Sequence, residues 1–134
     1  MPYHVKDWMS SPVVVIDPDS SVSYALTLMQ RRNIHSIVVN LGGEAGYGIV
    51  TSTDIRDKII IPERNPAETR VREVMTSPVL LANPEWTLKE CSIRMQAAGI
   101  HHMPVVDDHG LLVGLISVTD IFRAAEEIGW GKSS

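Results

Sequence analysis

Val71-Arg72-Glu73-Val74-Met75, followed by Ser77-Pro78-Val79, restates a pattern used 66 positions earlier, at Val5-Lys6-Asp7-Trp8-Met9 and Ser11-Pro12-Val13. The same shift, without a gap, lays Pro18 on Pro84, Met29-Gln30 on Met95-Gln96 and Ile34-His35 on Ile100-His101. It also lays Gly48 on Gly114 and Thr53-Asp54-Ile55 on Thr119-Asp120-Ile121. A register held this long marks a tandem duplication. Between the copies runs Ile61-Pro62-Glu63-Arg64-Asn65-Pro66-Ala67-Glu68-Thr69, whose prolines cannot continue a helix. The expected organisation is therefore a first repeat at 5–60, a linker at 61–70, a second repeat at 71–127 and a C-terminal tail at 128–134.

Each copy reads as β-α-β-β-α. Val13-Val14-Val15-Ile16 is a short continuous apolar run, expected to be a strand buried on both faces. Asp17-Pro18-Asp19-Ser20-Ser21 turns the chain and offers capping oxygens. Val22, Ala25, Leu26 and Met29 then recur at helical spacing, echoed by Leu88, Cys91, Ser92 and Met95 in the second copy. Asn33 and Gly99 share the helix-ending position and both tolerate left-handed dihedrals. Strands follow at Ile37-Val38-Val39 and Met103-Pro104-Val105-Val106, then turns rich in Gly, Asn and Asp. Gly48-Ile49-Val50 and Gly114-Leu115-Ile116 return as strands, and a helix opens near Thr53 and Thr119. The fold class is α/β (α+β), two related halves packed sheet to sheet with pseudo-twofold symmetry.

Composition narrows the function. The chain has 134 residues, 44% hydrophobic, with 12 Lys+Arg against 16 Asp+Glu and a net charge of -4. That balance lacks the basic footprint that non-specific nucleic-acid binding needs. The lone Cys91 excludes an internal disulfide and a Cys-rich zinc site. No secretory leader and no apolar stretch near the ~20 residues of a membrane span are visible, so the expected setting is cytoplasmic.

Paired polar residues carry the chemistry. Thr51-Ser52-Thr53-Asp54 and Ser117-Val118-Thr119-Asp120 place a hydroxyl and, three residues on, a carboxylate at a strand-to-helix junction. One reading is a capping box, in which hydroxyl and carboxylate each take a backbone N–H. The other is a binding site: a helix N-terminus favours phosphate, and an ionised carboxylate accepts from both hydroxyls of a ribose. His35 and His101 stand at equivalent strand entrances, where ring N–H groups suit phosphate oxygens, and His102 adds a second ring. A metal cluster of His35, His101, His102 and His109 lacks any ligand spacing, and none is expected. Lys6 and Arg72 match across the copies and read as solvated positions on a short helix; Arg56 and Arg123 read as surface ion-pair partners. No nucleophile, base and orienter fall together, so the residues suit gripping a ligand rather than breaking bonds, and the chain is not expected to be an enzyme.

Met-Thr/Ser-Ser-Pro-Val, Ile-His-x-x-Pro/Val-Val and Gly-hydrophobic-hydrophobic-Thr/Ser-x-x-Asp-Ile, each present twice, resemble a tandem pair of cystathionine-β-synthase (CBS) domains, a Bateman module. The likeness spans about Val5 to Glu127. It implies clefts between the copies that take adenosine-containing ligands such as AMP, ADP, ATP, NAD or S-adenosylmethionine. An adenine nucleotide would be a regulatory ligand rather than a required cofactor. It further implies pairing into homodimers and a separate regulated protein as partner, with neither nucleic acid nor membrane involved. By motif position the resemblance gives ribose to Asp54 and Asp120, and phosphate to His35, Thr51, His101, His102 and Ser117. One cleft would join His101, Ser117 and Asp120 to Met9, Val14, Ile34 and His35, the apolar residues facing adenine. The other would join His35, Thr51 and Asp54 to Met75, Leu80, Ile100 and His101. A ligand-free interaction module, with the acids serving only as caps, is the alternative.

Overall fold

The computed structural model describes residues 3–129, with the side chain of Glu44 left aside, and the chain divides into two compact units. The expected tail lies outside the described residues from position 130 on; the last helix runs to Ile128. The units do not coincide with the two copies of the sequence. One unit is residues 14–79; the other joins residues 80–129 to residues 3–13. Each body is thus completed by the segment that leads into the other copy.

In the unit 14–79, β1 (Val15–Ile16) is followed by α2 (Val22–Arg32), β2 (Ser36–Asn40), β3 (Tyr47–Thr51) and α3 (Ser52–Ile55), the short helix α1 (Val5–Trp8) belonging to the other unit. The sheet order is β1-β2-β3, with β1 parallel and β3 antiparallel to β2. Ser21 caps α2 by accepting from the Tyr24 N–H, and Asn33 ends it in the left-handed region at φ 52°. The helix lays Val22, Ala25 and Met29 on Ile37, Val39 and Val50, the alternate residues of β2 and β3 that share one face. Val71 and Val74 of the lead-in segment close this core from the C-terminal end of the unit. Thr69 is buried, its carbonyl accepting from the Val22 N–H at 2.8 Å, so part of the linker is built into the unit.

The expected Val13–Ile16 strand is corrected to two residues. Only β2 lies beside it, so Ile16 faces the core while Val15 stays 41% exposed, and Asp17-Pro18 turns the chain away at once. In the unit built on the second copy no strand forms there at all; Ala82 makes an isolated parallel bridge to Val105.

That unit contains α4 (Leu88–Ala98), β4 (His102–Val106), β5 (Leu112–Ser117) and α5 (Val118–Ile128), with α1. Thr87 and the left-handed Gly99 bound α4. Leu88, Cys91 and Met95 pack on Met103, Val105 and Ile116, joined by Val5 of the lead-in segment. Burial, with Glu90 nearby, pushes the Cys91 thiol up to about 11, as for an inert core thiol. Trp8 and Trp86 fill the margin of this core. In the β4–β5 turn the Asp107 carboxylate accepts from the N–H groups of Leu111 and His109, which holds its pKa below the usual carboxylate value.

The lead-in segments repeat their contacts residue for residue. His4 bridges Thr87 as Arg70 bridges Ser21, and Ser10 bridges Leu115 as Thr76 bridges Ile49. Lys6 pairs with Glu85, and the matching Arg72 with Asp19. Both residues are exposed, as expected of solvated positions, and each makes a surface ion pair to the turn before α4 or α2. Both Ser-Pro bonds, Ser11-Pro12 and Ser77-Pro78, are cis.

Candidate functional site

In both units the sheet brings histidine, hydroxyl and acid to one end. The antiparallel register pairs Ser36 with Thr51 and His102 with Ser117, so each strand entrance lies beside the exit of its neighbour. The main-chain carbonyl of His35 accepts from the Ser52 N–H at 3.0 Å and from the Ser52 hydroxyl at 3.3 Å. The His101 carbonyl accepts from the Val118 N–H at 3.0 Å. The interval between histidine and hydroxyl in the sequence is thus the length of one hairpin. His35 and His101 are exposed and His102 is half-buried.

Both capping boxes are formed. The Asp54 N–H donates to Thr51 Oγ1 at 3.3 Å, while Asp54 Oδ2 accepts from the Thr51 N–H at 3.0 Å. In the other unit the distances for Ser117 and Asp120 are 3.3 and 2.9 Å. The acids are only 8% and 7% exposed. Their remaining oxygens face cations: Lys58 Nζ lies 3.3 Å from Asp54 Oδ1, and Arg123 Nη2 lies 2.7 Å from Asp120 Oδ1. Thr76 Oγ1 stands 3.5 Å from Asp54 Oδ1. Among the described residues no buried side-chain polar atom lacks a partner. Sequence reasoning left Lys58 and Thr76 unnoticed and expected Arg123 to be a surface ion-pair partner, as it is, without naming Asp120 as its acid; the signals were helical spacing, Lys58 four residues from Asp54 and Arg123 three from Asp120. As helix caps alone the carboxylates have a modest role: Asp54→Ala or Asp120→Ala is expected to cost ~1–2 kcal/mol, read as a lower urea midpoint at unchanged slope.

The apolar candidates divide between the units. Met75 packs against Gly48 in the unit of Asp54, and Met9 against Gly114 in the unit of Asp120. Val14 and Ile34 are half-buried on the first core, Ile100 on the second. Ile34 and His35 also line a cavity of about 410 Å³ with Leu26, Met29, Asn33 and Ser52. Leu80 instead lines a cavity of about 310 Å³ with Leu81, Trp86, Arg94 and Met103, where the Arg94 guanidinium sits 4.3 Å above the Trp86 ring. Among the described residues no three His, Cys, Asp or Glu side chains are grouped to hold a metal, and no helix is long and apolar enough to cross a membrane.

The family model for the CBS domain matches twice, at residues 5–61 and 71–127. The chain belongs to the CBS domain family. This CBS pair is 31% identical over 117 residues to the CBS domain-containing protein YhcV of Bacillus subtilis, covering 87% of this chain and 81% of that one. It is 30% identical over 95 residues to an uncharacterized protein of Methanopyrus kandleri, covering 71% of this chain and only 48% of the relative, so the match spans about half of that protein's length. Among solved structures, a hexameric CBS-CP12 protein from bloom-forming cyanobacteria superposes with a TM-score of 0.90 at 29% identity, covering 99% of this chain and 78% of that one. A CBS domain pair solved in complex with 5′-methylthioadenosine and S-adenosyl-L-methionine superposes with a TM-score of 0.82 at 26% identity, covering 96% and 99%. The tandem CBS fold expected from the motifs is the fold observed. Some relatives are enzymes, such as the inosine-5′-monophosphate dehydrogenase of Methanocaldococcus jannaschii, 28% identical over 111 residues, of which the match covers 21%.

Proposed function

We propose that this CBS pair is a regulatory module that binds an adenosine-containing small molecule and passes its occupancy to a separate protein. The observation that carries this reading is the duplicated constellation of exposed histidine, Thr/Ser hydroxyl and acid, assembled at the same end of the sheet in each unit. In it Asp54 and Asp120 take a ribose diol, and Thr51, Ser117, His35, His101 and His102 take phosphate. Met9, Val14, Ile34, Met75, Leu80 and Ile100 supply apolar surface for adenine. The CBS pair solved with two adenosine derivatives supports the ligand class. Signalling requires that the ligand prefer one conformation of the module, because a ligand of equal affinity for both shifts nothing. A homodimer in the cytoplasm, where a lone thiol stays reduced, belongs to the same reading.

A panel of AMP, ADP, ATP, NAD and S-adenosylmethionine in a thermal-shift assay tests it. At a hundredfold excess over the dissociation constant, a ligand adds roughly 2.7 kcal/mol, a rise of several degrees in melting temperature. No shift from any of the five at millimolar concentration rejects the reading.

The closed capping boxes favour a second reading, a ligand-free interaction module in which the acids only secure α3 and α5. Under it, substitution of Asp54 or Asp120 changes stability and no ligand affinity.

A further inference from the structure

The duplicated acids are alike in their capping boxes and unlike in what holds their second oxygen. Beyond α3 the helix widens into a π-turn over Arg56–Ile60. There Lys58 Nζ donates to the carbonyl of Val74 at 2.8 Å while lying 3.3 Å from Asp54 Oδ1. Val74 is fully buried in the lead-in segment, and the same stretch places Thr76 Oγ1 3.5 Å from that oxygen. In the other unit the position matching Lys58 is Ala124, which is buried and has no side-chain donor. Ser10, matching Thr76, makes only its backbone pair with Leu115. Asp120 Oδ1 is held by the Nη2 of Arg123 alone, at 2.7 Å, from a side chain 53% exposed.

The two cations therefore differ in what their departure leaves behind. Arg123 has one partner here and a guanidinium already half in water, so swinging out re-solvates it and strands nothing. Lys58 is anchored at a second point. If it leaves, the buried Val74 carbonyl loses its donor, and a buried acceptor without a partner is costly. If it stays on Val74, its charge remains beside Asp54 and competes with an incoming hydroxyl.

We infer that the two acids are unequal: Asp120 is the ribose acceptor that a ligand reaches first, Arg123 being its displaceable counter-ion, while Asp54 is pinned by the Lys58–Val74 tether. The inference rests on the adenosine-binding reading and adds a ranking to it.

Titration calorimetry of the full chain with S-adenosylmethionine, and separately with AMP, tests the ranking. The wild type is expected to show a tighter and a weaker event at least tenfold apart, equivalent to 1.4 kcal/mol. Asp120→Asn removes the tighter event and Asp54→Asn the weaker. Lys58→Met, which cuts the tether at a partly exposed position, tightens the weaker event by about tenfold. Lys58→Gln retains a donor for Val74 without the charge and separates the two effects of the lysine. Equal events in the wild type, loss of the tighter event with Asp54→Asn, or no response to Lys58→Met each overturn the inference and leave adenosine binding standing. Failure of the wild type to bind either probe overturns both. Melting curves of each variant identify any loss of binding that is only loss of fold.

Discussion

Removing residues 1–10 is expected to unfold the unit that holds Asp120 while the unit that holds Asp54 keeps its structure. Repeat boundaries alone would suggest a mild effect, since these residues precede most of the first copy. The structure assigns them to the other body. Val5 is fully buried in the core with Ala82, Leu88 and Cys91, and burying a valine stabilises by ~1.5–3 kcal/mol. Tyr3 O accepts from the Leu88 N–H, the Val5 and Lys6 N–H groups donate to Trp86 O and Pro84 O, and Ser10 exchanges both backbone bonds with Leu115. Each such bond is worth roughly 0.5–1.5 kcal/mol net. Together the losses reach about 5 kcal/mol, the lower end of a whole domain's stability. Hydrogen exchange is the measurement: amides of α4, β4 and β5 should lose protection, and those of α2, β2 and β3 should retain it. Uniform protection in the truncated chain, or a melting temperature within a few degrees of the full-length value, contradicts the assignment.

That exchange of lead-in segments was invisible in the sequence for a definite reason. The match of Val5 to Val71 says that two segments do the same thing, but it is unchanged by swapping the bodies they serve. Local features were legible because local physics sets them. Helical spacing placed Val22, Ala25 and Met29 on one face, and Asn33 and Gly99 ended their helices in left-handed conformation as expected. The strand at Val13–Ile16 was over-read because an apolar run reports burial and not the number of neighbouring strands; one neighbour supports only Val15 and Ile16. At the acids, motif spacing found both capping boxes but not the counter-ions. Lys58 stands at the ordinary helical interval from Asp54, but its second partner, the Val74 carbonyl, is met from a widened π-turn across sixteen residues, which leaves no periodic signature. Residue matching does carry one clue to the inequality of the acids: Lys58 stands against Ala124, and Asp57 against Arg123.

The matched glycines Gly48 and Gly114 give the other large effect, and Gly114→Val is expected to destabilise its unit by about 3 kcal/mol. A Cβ at Gly114 runs into Met9 Sδ, comes within 2.8 Å of Met9 Cγ and lies 3.1 Å from the Ser10 carbonyl oxygen. At Gly48 it meets the Thr76 carbonyl at 3.0 Å and Met75 Sδ at 3.1 Å. In each unit the lead-in backbone bridges the strand residue next to the glycine, Leu115 or Ile49, so the carbonyl cannot retreat without breaking that bridge. Alanine separates the two sites. At Gly114 the worst clash is with a flexible thioether, which can rotate away, so Gly114→Ala should cost less than its contacts suggest. At Gly48 the nearest atom belongs to the backbone, and Gly48→Ala should cost nearly as much as a larger residue there. For valine, thermal unfolding should fall by roughly 10–20 °C in either unit. Met9 and Met75 are also residues we propose for adenine contact, so under that proposal displacing them should weaken the binding event of the same unit at temperatures where the variant is still folded. Wild-type melting for Gly114→Val and Gly48→Val would mean that the lead-in segments do not press on these strands, and the reason for both glycines would have to be sought elsewhere.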